Sequence, residues 1–239
     1  MIPVYLVVAW YVLVVLVLVR KFSPEIYDVV IVKMTSVWYR TVFERLNEGD
    51  RVLDIGIGTG TALSRNAPLV VKKKLHIVGV DYERAYVEKC TKVMQTSGLS
   101  GQVKVVCKSV YDSDLLTVVN QTSQQAVDER FDCIYFSGSI SLMPDPALAL
   151  KQSAHDMLKP GGLVFITQTF QKRGTKVMEV LKPLLKYCTT IDFGKLTYLQ
   201  DVDQYCQDSG LEVVERNQIP NSIDNYFQAA YLIVLRKQK

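Results

Sequence analysis

The sequence predicts an α/β protein in which a doubly wound, mostly parallel sheet follows one transmembrane helix. Three observations point to this fold class. Short β-branched runs alternate with helical patterns from residue 51 onward, a glycine-rich turn follows the first of these runs, and residues 2–19 carry no charge. Regular alternation of strands and helices is typical of parallel sheets whose crossover helices pack on both faces.

The apolar segment over residues 2–19, IPVYLVVAWYVLVVLVLV, predicts a membrane anchor that we assign to residues 1–21. As a helix it would be roughly 27 Å long, which is close to the hydrocarbon thickness of a thin bilayer. A cleaved signal peptide and a buried helix are the alternatives. No small-residue cleavage pattern follows the segment, and a buried helix is rarely apolar on every face. Arg20 and Lys21 end the span, so the positive-inside rule predicts a single-pass protein whose catalytic domain lies on the cytoplasmic or mitochondrial-matrix side.

Residues 22–49 are predicted to form an amphipathic helix that links the anchor to the domain and caps it. Pro24 is a favourable first-turn residue and Gly49 a favourable stop. The domain itself is expected to span residues 50–239. Its predicted strands are 51–55, 75–80, 103–107, 131–136, 162–168, 211–219 and 227–236. Its predicted helices lie near 60–67, 83–97, 112–119, 146–158 and 199–209.

Three further segments complete the expected organisation of the domain. Residues 121–130 are polar and are predicted to form a surface excursion. Residues 171–195 stand between the fifth strand and the tail and are expected to be an inserted cap. The last two strands are joined by a short loop, so we expect them to be antiparallel.

Composition excludes several classes of protein. The chain has 239 residues, of which 49% are hydrophobic, so one domain with a substantial core is expected. The net charge of +4 is mild, and nucleic-acid binding is not predicted. None of the five cysteines forms a CxxC pair and neither histidine lies near one, so no metal site is predicted.

The glycine-rich turn RVLDIGIGTGTAL raises the question of its ligand. A dinucleotide loop needs GxGxxG, but here the third glycine, Gly60, comes one place early and Thr61 takes the last position. A phosphate loop ends in GK[ST], and no lysine follows. Asp54 lies two places before the first glycine, Gly56, and a carboxylate there would repel phosphate and suit a cationic group. Asp81, at the end of the second strand, is of the type that accepts ribose hydroxyls.

Four motifs then occur in a familiar order: VLDIGIGTG, GVDYE, FDCIYFSGSISLMPDP and LKPGG. Together they resemble the class I S-adenosylmethionine-dependent methyltransferases, and the resemblance covers roughly residues 35–237. It implies a Rossmann-like seven-stranded sheet whose last strand is antiparallel, and S-adenosylmethionine as the cofactor.

The resemblance also implies which residues bind the cofactor. Those around the methionine end would be Asp54, Gly56, Ile57, Gly58 and Gly60. Asp81 would take the ribose hydroxyls, and the adenine would lie beside Tyr82, Ser109 and Val110. Ser109 stands where the family often has an acidic residue, so the contact with the adenine amino group departs from the usual pattern.

The candidate catalytic residues are Tyr27, Tyr39 and Ser139. The two tyrosines lie in the N-terminal helix, which covers the cofactor in many relatives. Ser137 and Ser139 follow the fourth strand, where the methyl group is expected to face the acceptor. The sequence lacks the [DN]PP[YF] motif used on amide or base nitrogens, so nucleic-acid methylation is not expected.

These features predict a membrane-anchored methyltransferase that acts on a lipophilic small molecule: a lipid, a quinone precursor or a thiol. The LMPDP stretch is similar to that of quinone-type enzymes, although it lacks their histidines. The alternative is a catalytically silent accessory subunit of a membrane protein complex. Methylation of a protein is a third option, because the cap carries no legible specificity.

Overall fold

The computed structural model describes residues 31–124, 126, 129–174 and 197–238, with the isolated positions 3, 10, 11 and 14. Apart from those four positions, the predicted anchor lies outside the described residues, and so do Tyr27 and the predicted cap beyond residue 174. Within those ranges, no helix is both long enough and apolar enough to cross a bilayer.

Seven strands form one sheet in the order β3-β2-β1-β4-β5-β7-β6. The strands are β1 (Arg51–Ile55), β2 (His76–Asp81), β3 (Val103–Cys107), β4 (Phe131–Ser137), β5 (Leu158–Gln171), β6 (Leu211–Gln218) and β7 (Gln228–Lys237). Strands β1 to β5 pair in parallel, and β7 is antiparallel to both β5 and β6. The predicted seven-stranded sheet with an antiparallel last strand is therefore confirmed.

Helices cover both faces of this sheet. They are α1 (Lys33–Phe43), α2 (Thr61–Ser64), α3 (Ala67–Lys72), α4 (Arg84–Thr96), α5 (Leu115–Ser123), α6 (Pro146–Gln152) and α7 (Leu199–Ser209). One core cluster joins the sheet to α1 through α4, and a second joins its other face to α5, α6 and α7. Because both faces are covered, every residue of the central strand β1 is buried.

Two predicted boundaries around the fifth strand were wrong. The helix expected to reach residue 158 ends at Gln152 and is followed by a π-helical turn, Ser153–Met157. Strand β5 begins at Leu158 rather than at residue 162, because Leu158 already pairs with Phe131 ahead of a shift in register. The glycine turn thus lies inside a bulged strand instead of at its start.

Helix boundaries also differ from those expected. The segment predicted as one helix near 60–67 forms α2 and α3, because Pro68 cannot donate the hydrogen bond that would continue α2. Helix α5 continues to Ser123, so the polar excursion begins later than residue 121. In the described part of the linking segment 22–49, α1 ends at Phe43, ahead of the expected stop at Gly49.

The direction of α1 determines where the preceding chain meets the domain. We call the ends where β1 to β5 start and finish the amino edge and the carboxyl edge. Lys73, just before β2 at the amino edge, donates to the carbonyls of Glu44 and Leu46 at 2.7 and 2.5 Å. At the other end of α1, the Thr169 hydroxyl lies 3.8 Å from the Met34 sulfur. The chain that precedes α1 therefore joins the domain at the carboxyl edge.

Candidate cofactor and methyl-transfer site

The glycine loop lies at the carboxyl edge, directly after β1. Gly56 has a φ of +79°, and a side chain there would meet the Cβ of Ser139 at 2.5 Å. Gly58 has a φ of +59°, and no atom of the described residues lies within 4 Å of where its Cβ would be. The first glycine thus permits close packing with the loop after β4, while Gly58 leaves its backbone open to a ligand. Gly60 precedes the first residue of α2, also in the left-handed conformation.

Asp81 ties this loop to the end of β2. Its Oδ2 accepts a hydrogen bond from the Gly58 amide at 3.0 Å, and its Oδ1 accepts one from the Glu83 amide at 2.9 Å. Burial raises the pKa of Asp81, and these backbone bonds oppose that rise. A carboxylate oxygen can accept more than one bond, so Asp81 can hold the loop and still accept ribose hydroxyls.

Ile57 holds the glycine loop against strand β2. Its amide and that of Gly56 both donate to the carbonyl of Val80, at 3.2 and 2.8 Å. Its buried side chain lies over Gly79, where an added Cβ would come within 2.3 Å of the Ile57 Cδ1. Gly79 is not among the site residues predicted from the sequence, although a glycine inside a strand is a usual sign of close approach by another chain segment.

Asp54 is fully buried at the end of β1 and faces α1. The Tyr39 hydroxyl donates to its Oδ2 at 2.6 Å, and its buried Oδ1 has no hydrogen-bond partner among the described residues. Burial raises the pKa of Asp54 to about 7, the charge of Asp81 adds to the rise, and the bond from Tyr39 opposes it. Tyr39, predicted as a catalytic candidate, is buried and bonded to a predicted cofactor residue.

The residues predicted around the adenine lie at the ends of β2 and β3. The Tyr82 side chain is 79% exposed. The Ser109 hydroxyl accepts a bond from the Tyr111 amide at 3.2 Å, and the Ser109 amide donates to Asp112 at 3.0 Å. Val110 is buried against the core. Ser109 therefore shapes a turn next to the position that the adenine is expected to take.

The two serines predicted near the methyl group differ in environment. Ser137 is the last residue of β4 and pairs with Thr167 on β5. Ser139 is buried, and its hydroxyl donates to the carbonyl of Ile55 at 2.5 Å. This bond joins the loop after β4 to the end of β1. The assignment of Ser139 as catalytic stays a prediction, as does that of Tyr27, which lies outside the described residues.

The arrangement fits S-adenosylmethionine at three points. The unpartnered oxygen of Asp54 suits the ammonium of the methionine end, the open backbone at Gly58 allows close approach, and Asp81 offers acceptors for the ribose. For a metal, no group of three or more His, Cys, Asp or Glu side chains with suitable geometry occurs in the described ranges.

Comparison with known proteins identifies the family. A methyltransferase domain family matches residues 36–216, which is more than half of the chain. The chain therefore belongs to this family of methyltransferase domains.

Two curated relatives show the range of similarity. One is the ubiquinone/menaquinone biosynthesis C-methyltransferase of Vibrio cholerae, 28% identical over 162 residues, a match that covers 66% of this chain and 55% of the relative. The chain thus spans about half the length of that relative. The other is the phosphatidylethanolamine N-methyltransferase of Cereibacter sphaeroides, 24% identical over 196 residues, with 80% of this chain and 85% of the relative covered.

Solved structures support the same fold. The (4+2)-cyclase SpnF is 17% identical with a TM-score of 0.63, over 84% of this chain and 81% of that one. A methyltransferase of Geobacter sulfurreducens, solved with S-adenosyl-L-homocysteine, is 16% identical with a TM-score of 0.57, and the match covers 85% of this chain and 90% of that one. At this level of identity the likeness concerns the fold alone.

Proposed function

We propose that this chain is a membrane-anchored methyltransferase that transfers the methyl group of S-adenosylmethionine to a lipophilic small molecule. The observation that carries the proposal is the position of α1. Its first turn lies at the carboxyl edge, where Met34 contacts Thr169, and this is also the edge of the glycine loop. Residues 20–30 alone separate the predicted span from the described chain, so the cofactor site would stand close to the bilayer surface.

Cofactor binding is assigned to the residues at the carboxyl edge. Asp54 and the glycine loop would hold the methionine end, Asp81 the ribose, and Tyr82 with Ser109 and Val110 the adenine. The bound cofactor supplies a methyl group already activated on a sulfonium sulfur. The protein then needs to align the acceptor and exclude water, which is mainly a task of positioning.

The acceptor class is inferred from the described residues near the end of β4. Ser137 and Ser139 bring hydroxyls to this position, and the Ser139 hydroxyl is engaged with Ile55. Asp145 is engaged as well, because its Oδ1 accepts the Leu148 amide at the start of α6. Such surroundings favour an acceptor that needs little help from a base, such as a thiolate, an amine or an acidic carbon or phenol.

A lipophilic acceptor is supported by the names of the relatives and by an exposed aromatic pair. One relative is named for quinone biosynthesis and the other for a phospholipid. At the carboxyl edge, Tyr226 and Phe227 are 63% and 52% exposed, and the Arg173 guanidinium lies 4.2 Å from the centre of the Tyr226 ring. Aromatic rings beside a cation are typical of protein surfaces at the membrane interface.

The first experiment separates methyl transfer from a silent accessory role. The full chain, purified in detergent, is titrated with S-adenosyl-L-homocysteine by calorimetry. It is then reconstituted into vesicles and supplied with radiolabelled S-adenosylmethionine and a total lipid extract. We expect binding that Asp81→Ala abolishes, and label in the organic phase. Binding without any transfer, together with co-migration in a large complex on native gels, would favour the silent subunit.

Topology needs its own measurement. We propose that the catalytic domain lies on the cytoplasmic or mitochondrial-matrix side, because Arg20 and Lys21 follow the span. A C-terminal tag on the full chain should resist protease added to sealed microsomes or mitoplasts and become sensitive after detergent. Cleavage of the tag in sealed vesicles would reverse the proposed orientation.

A further inference from the structure

We propose that Tyr39 is a positioning residue of the cofactor site. Its hydroxyl holds one carboxylate oxygen of Asp54 and keeps the other for the cationic methionine end of the cofactor, so that helix α1 completes the site. The inference rests on the proposed role of Asp54 in cofactor binding.

Packing fixes the Tyr39 ring in one place. The ring is 3% exposed and meets Phe43, one turn along α1, edge-on at 5.5 Å. It also meets Tyr135 of β4 edge-on, with the ring centres 5.1 Å apart and an interplanar angle of 89°. Tyr135 is held in turn by a 2.8 Å hydrogen bond between its hydroxyl and that of Thr167. Contacts on both sides therefore direct the Tyr39 hydroxyl to a single acceptor.

That acceptor is the buried carboxylate of Asp54, at 2.6 Å. A hydroxyl-to-carboxylate bond of this length is a charge-assisted bond, stronger than one between neutral groups. Burial, followed by the charge of Asp54, raises the pKa of Tyr39 well above its usual value. The phenol therefore stays protonated and remains a donor at physiological pH.

The second oxygen of Asp54 is the feature that points to a ligand. It is buried and has no hydrogen-bond partner in the described part of the chain. A buried carboxylate that is only half partnered is costly, and a cation that binds there recovers that cost. The ammonium of an amino acid group is a cation of suitable size with three donors.

Because of the titratable groups around it, the ionisation of Asp54 depends on the hydrogen bond from Tyr39. Asp81 faces it from β2, Cys133 and Tyr135 from β4, and Cys90 from α4. Burial raises the pKa of both cysteines and of Tyr135, so these three groups stay neutral at physiological pH. Asp81 adds a negative charge. Among these neighbours, the Tyr39 hydroxyl is therefore the one group that favours the ionised form of Asp54.

A consequence is that the N-terminal helix is part of the cofactor site. Helix α1 is docked separately by a 2.8 Å bond from the Trp38 indole nitrogen to the Ser222 hydroxyl, in the loop between β6 and β7. Displacement of the helix would remove the donor to Asp54 and weaken cofactor binding. Helix α1 is thus linked to the site through the hydrogen bond between Tyr39 and Asp54.

The test measures the affinity of the full chain in detergent for S-adenosyl-L-homocysteine between pH 5.5 and 8.5. Because the ligand ammonium needs an ionised Asp54, affinity should fall as the pH drops through the pKa of that residue. Tyr39→Phe should weaken binding about tenfold at pH 7.5. In this variant the affinity should also begin to fall at a higher pH on acidification, since removal of the donor raises the Asp54 pKa further.

Two further variants separate positioning from mere helix docking. Trp38→Phe removes the bond to Ser222 from the same helix but leaves the contact of the Tyr39 ring with Tyr135, so the Tyr39 hydroxyl should stay on Asp54 and the acid-side midpoint should stay where it is in the wild type. In an Asp54→Asn background, Tyr39→Phe should have no additional effect on affinity. Thermal unfolding of each variant shows whether it is folded.

Each outcome has a definite meaning. An unchanged acid-side midpoint in Tyr39→Phe overturns the inference, and so does an equal shift in Trp38→Phe. If the wild type binds no S-adenosyl-L-homocysteine at any pH, it is instead the proposed cofactor site that fails. A Tyr39→Phe variant that only lowers the unfolding temperature would reduce Tyr39 to a packing role.

Discussion

Strand β1 carries two buried charges, and they differ in how completely they are partnered. Arg51 begins the strand at the amino edge. Its guanidinium donates to the carbonyls of Glu129 and Arg130 at 3.1 and 3.2 Å and to the Asn120 side chain at 3.0 Å. Asp54, three residues later at the carboxyl edge, has one donor, and its other oxygen has no hydrogen-bond partner within the described ranges. A buried charge whose hydrogen-bonding groups are all partnered indicates a structural role, whereas a buried charge with an unpartnered atom indicates a binding site for a ligand.

The amino edge extends the same pattern. The Arg51 guanidinium also lies 4.5 Å from the centre of the Phe131 ring, and the Asp132 carboxylate accepts both the Arg51 amide and the Lys159 ammonium. At the carboxyl edge, by contrast, Gly58 has open space above it and Tyr82 is exposed. The polar groups at the amino edge thus stabilise the sheet, whereas those at the carboxyl edge remain available to a ligand.

The largest effect is expected at the amino edge. Arg51→Met would remove the donor from three acceptors, the Asn120 side-chain oxygen and the carbonyls of Glu129 and Arg130. At about 1–3 kcal/mol for each unsatisfied buried group, the free energy of unfolding should fall by about 3–5 kcal/mol. Urea unfolding in detergent measures the change. Arg45→Met breaks the exposed pair with Glu215 and should cost less than about 1 kcal/mol, which makes it a matched control. Equal losses in the two variants would contradict the contrast between buried and exposed arginines.

Asp54→Asn should act in the opposite direction on stability. Since the Asp54 pKa rises from 3.8 to about 7 on folding, the folded state holds a proton that the unfolded state has lost. The contribution of Asp54 to stability is therefore greatest below pH 3.8 and is lost as the pH rises to about 7, by about 4 kcal/mol in total. The variant should lose this slope while it also loses cofactor binding. A slope that persists in Asp54→Asn would assign the titration to another group.

Gly79→Ala should have a smaller effect that reaches the cofactor loop through Ile57. The new Cβ would press on the Ile57 side chain, and the expected cost is about 1–2 kcal/mol of stability. Displacement of the loop should also weaken S-adenosyl-L-homocysteine binding several-fold in calorimetry. Gly101→Ala, where nothing lies within 4 Å, is the control that should leave affinity unchanged. Normal affinity in Gly79→Ala would show that the loop tolerates the shift.

The smallest effect on stability is expected for the exposed aromatic pair. Replacement of Tyr226 and Phe227 by serine should change the free energy of unfolding by under about 0.5 kcal/mol and leave cofactor affinity intact. In reconstituted vesicles, however, label transfer to the lipid extract should fall. Val213 and Val214, exposed on the outermost strand β6, provide the control pair with serine replacements. Equal transfer rates for the two double variants would argue against a bilayer-facing carboxyl edge.

The sequence predicted the sheet well because its signals are local. The β-branched runs at residues 51–55 and 103–107 match β1 and β3 residue for residue. The short loop between the last two predicted strands correctly predicted that β6 and β7 are antiparallel. The errors arose where tertiary pairing extends an element. Leu158 belongs to β5 because it pairs with Phe131 of β4. A local sequence pattern cannot indicate a pairing partner that lies 27 residues away in the chain.

What the sequence determined by itself is the position of the glycine loop and, through the resemblance of four short motifs to a known family, the class of protein, because each of these motifs is a local stretch of chain. Asp54 and Asp81 were identified in the same way. Only the tertiary structure decided what these acids contact: Tyr39 reaches Asp54 from another element, and Ser139 reaches Ile55 across the sheet. The physical reason is that the pKa and bonding of a buried acid depend on its neighbours in space, which the chain brings together only by folding.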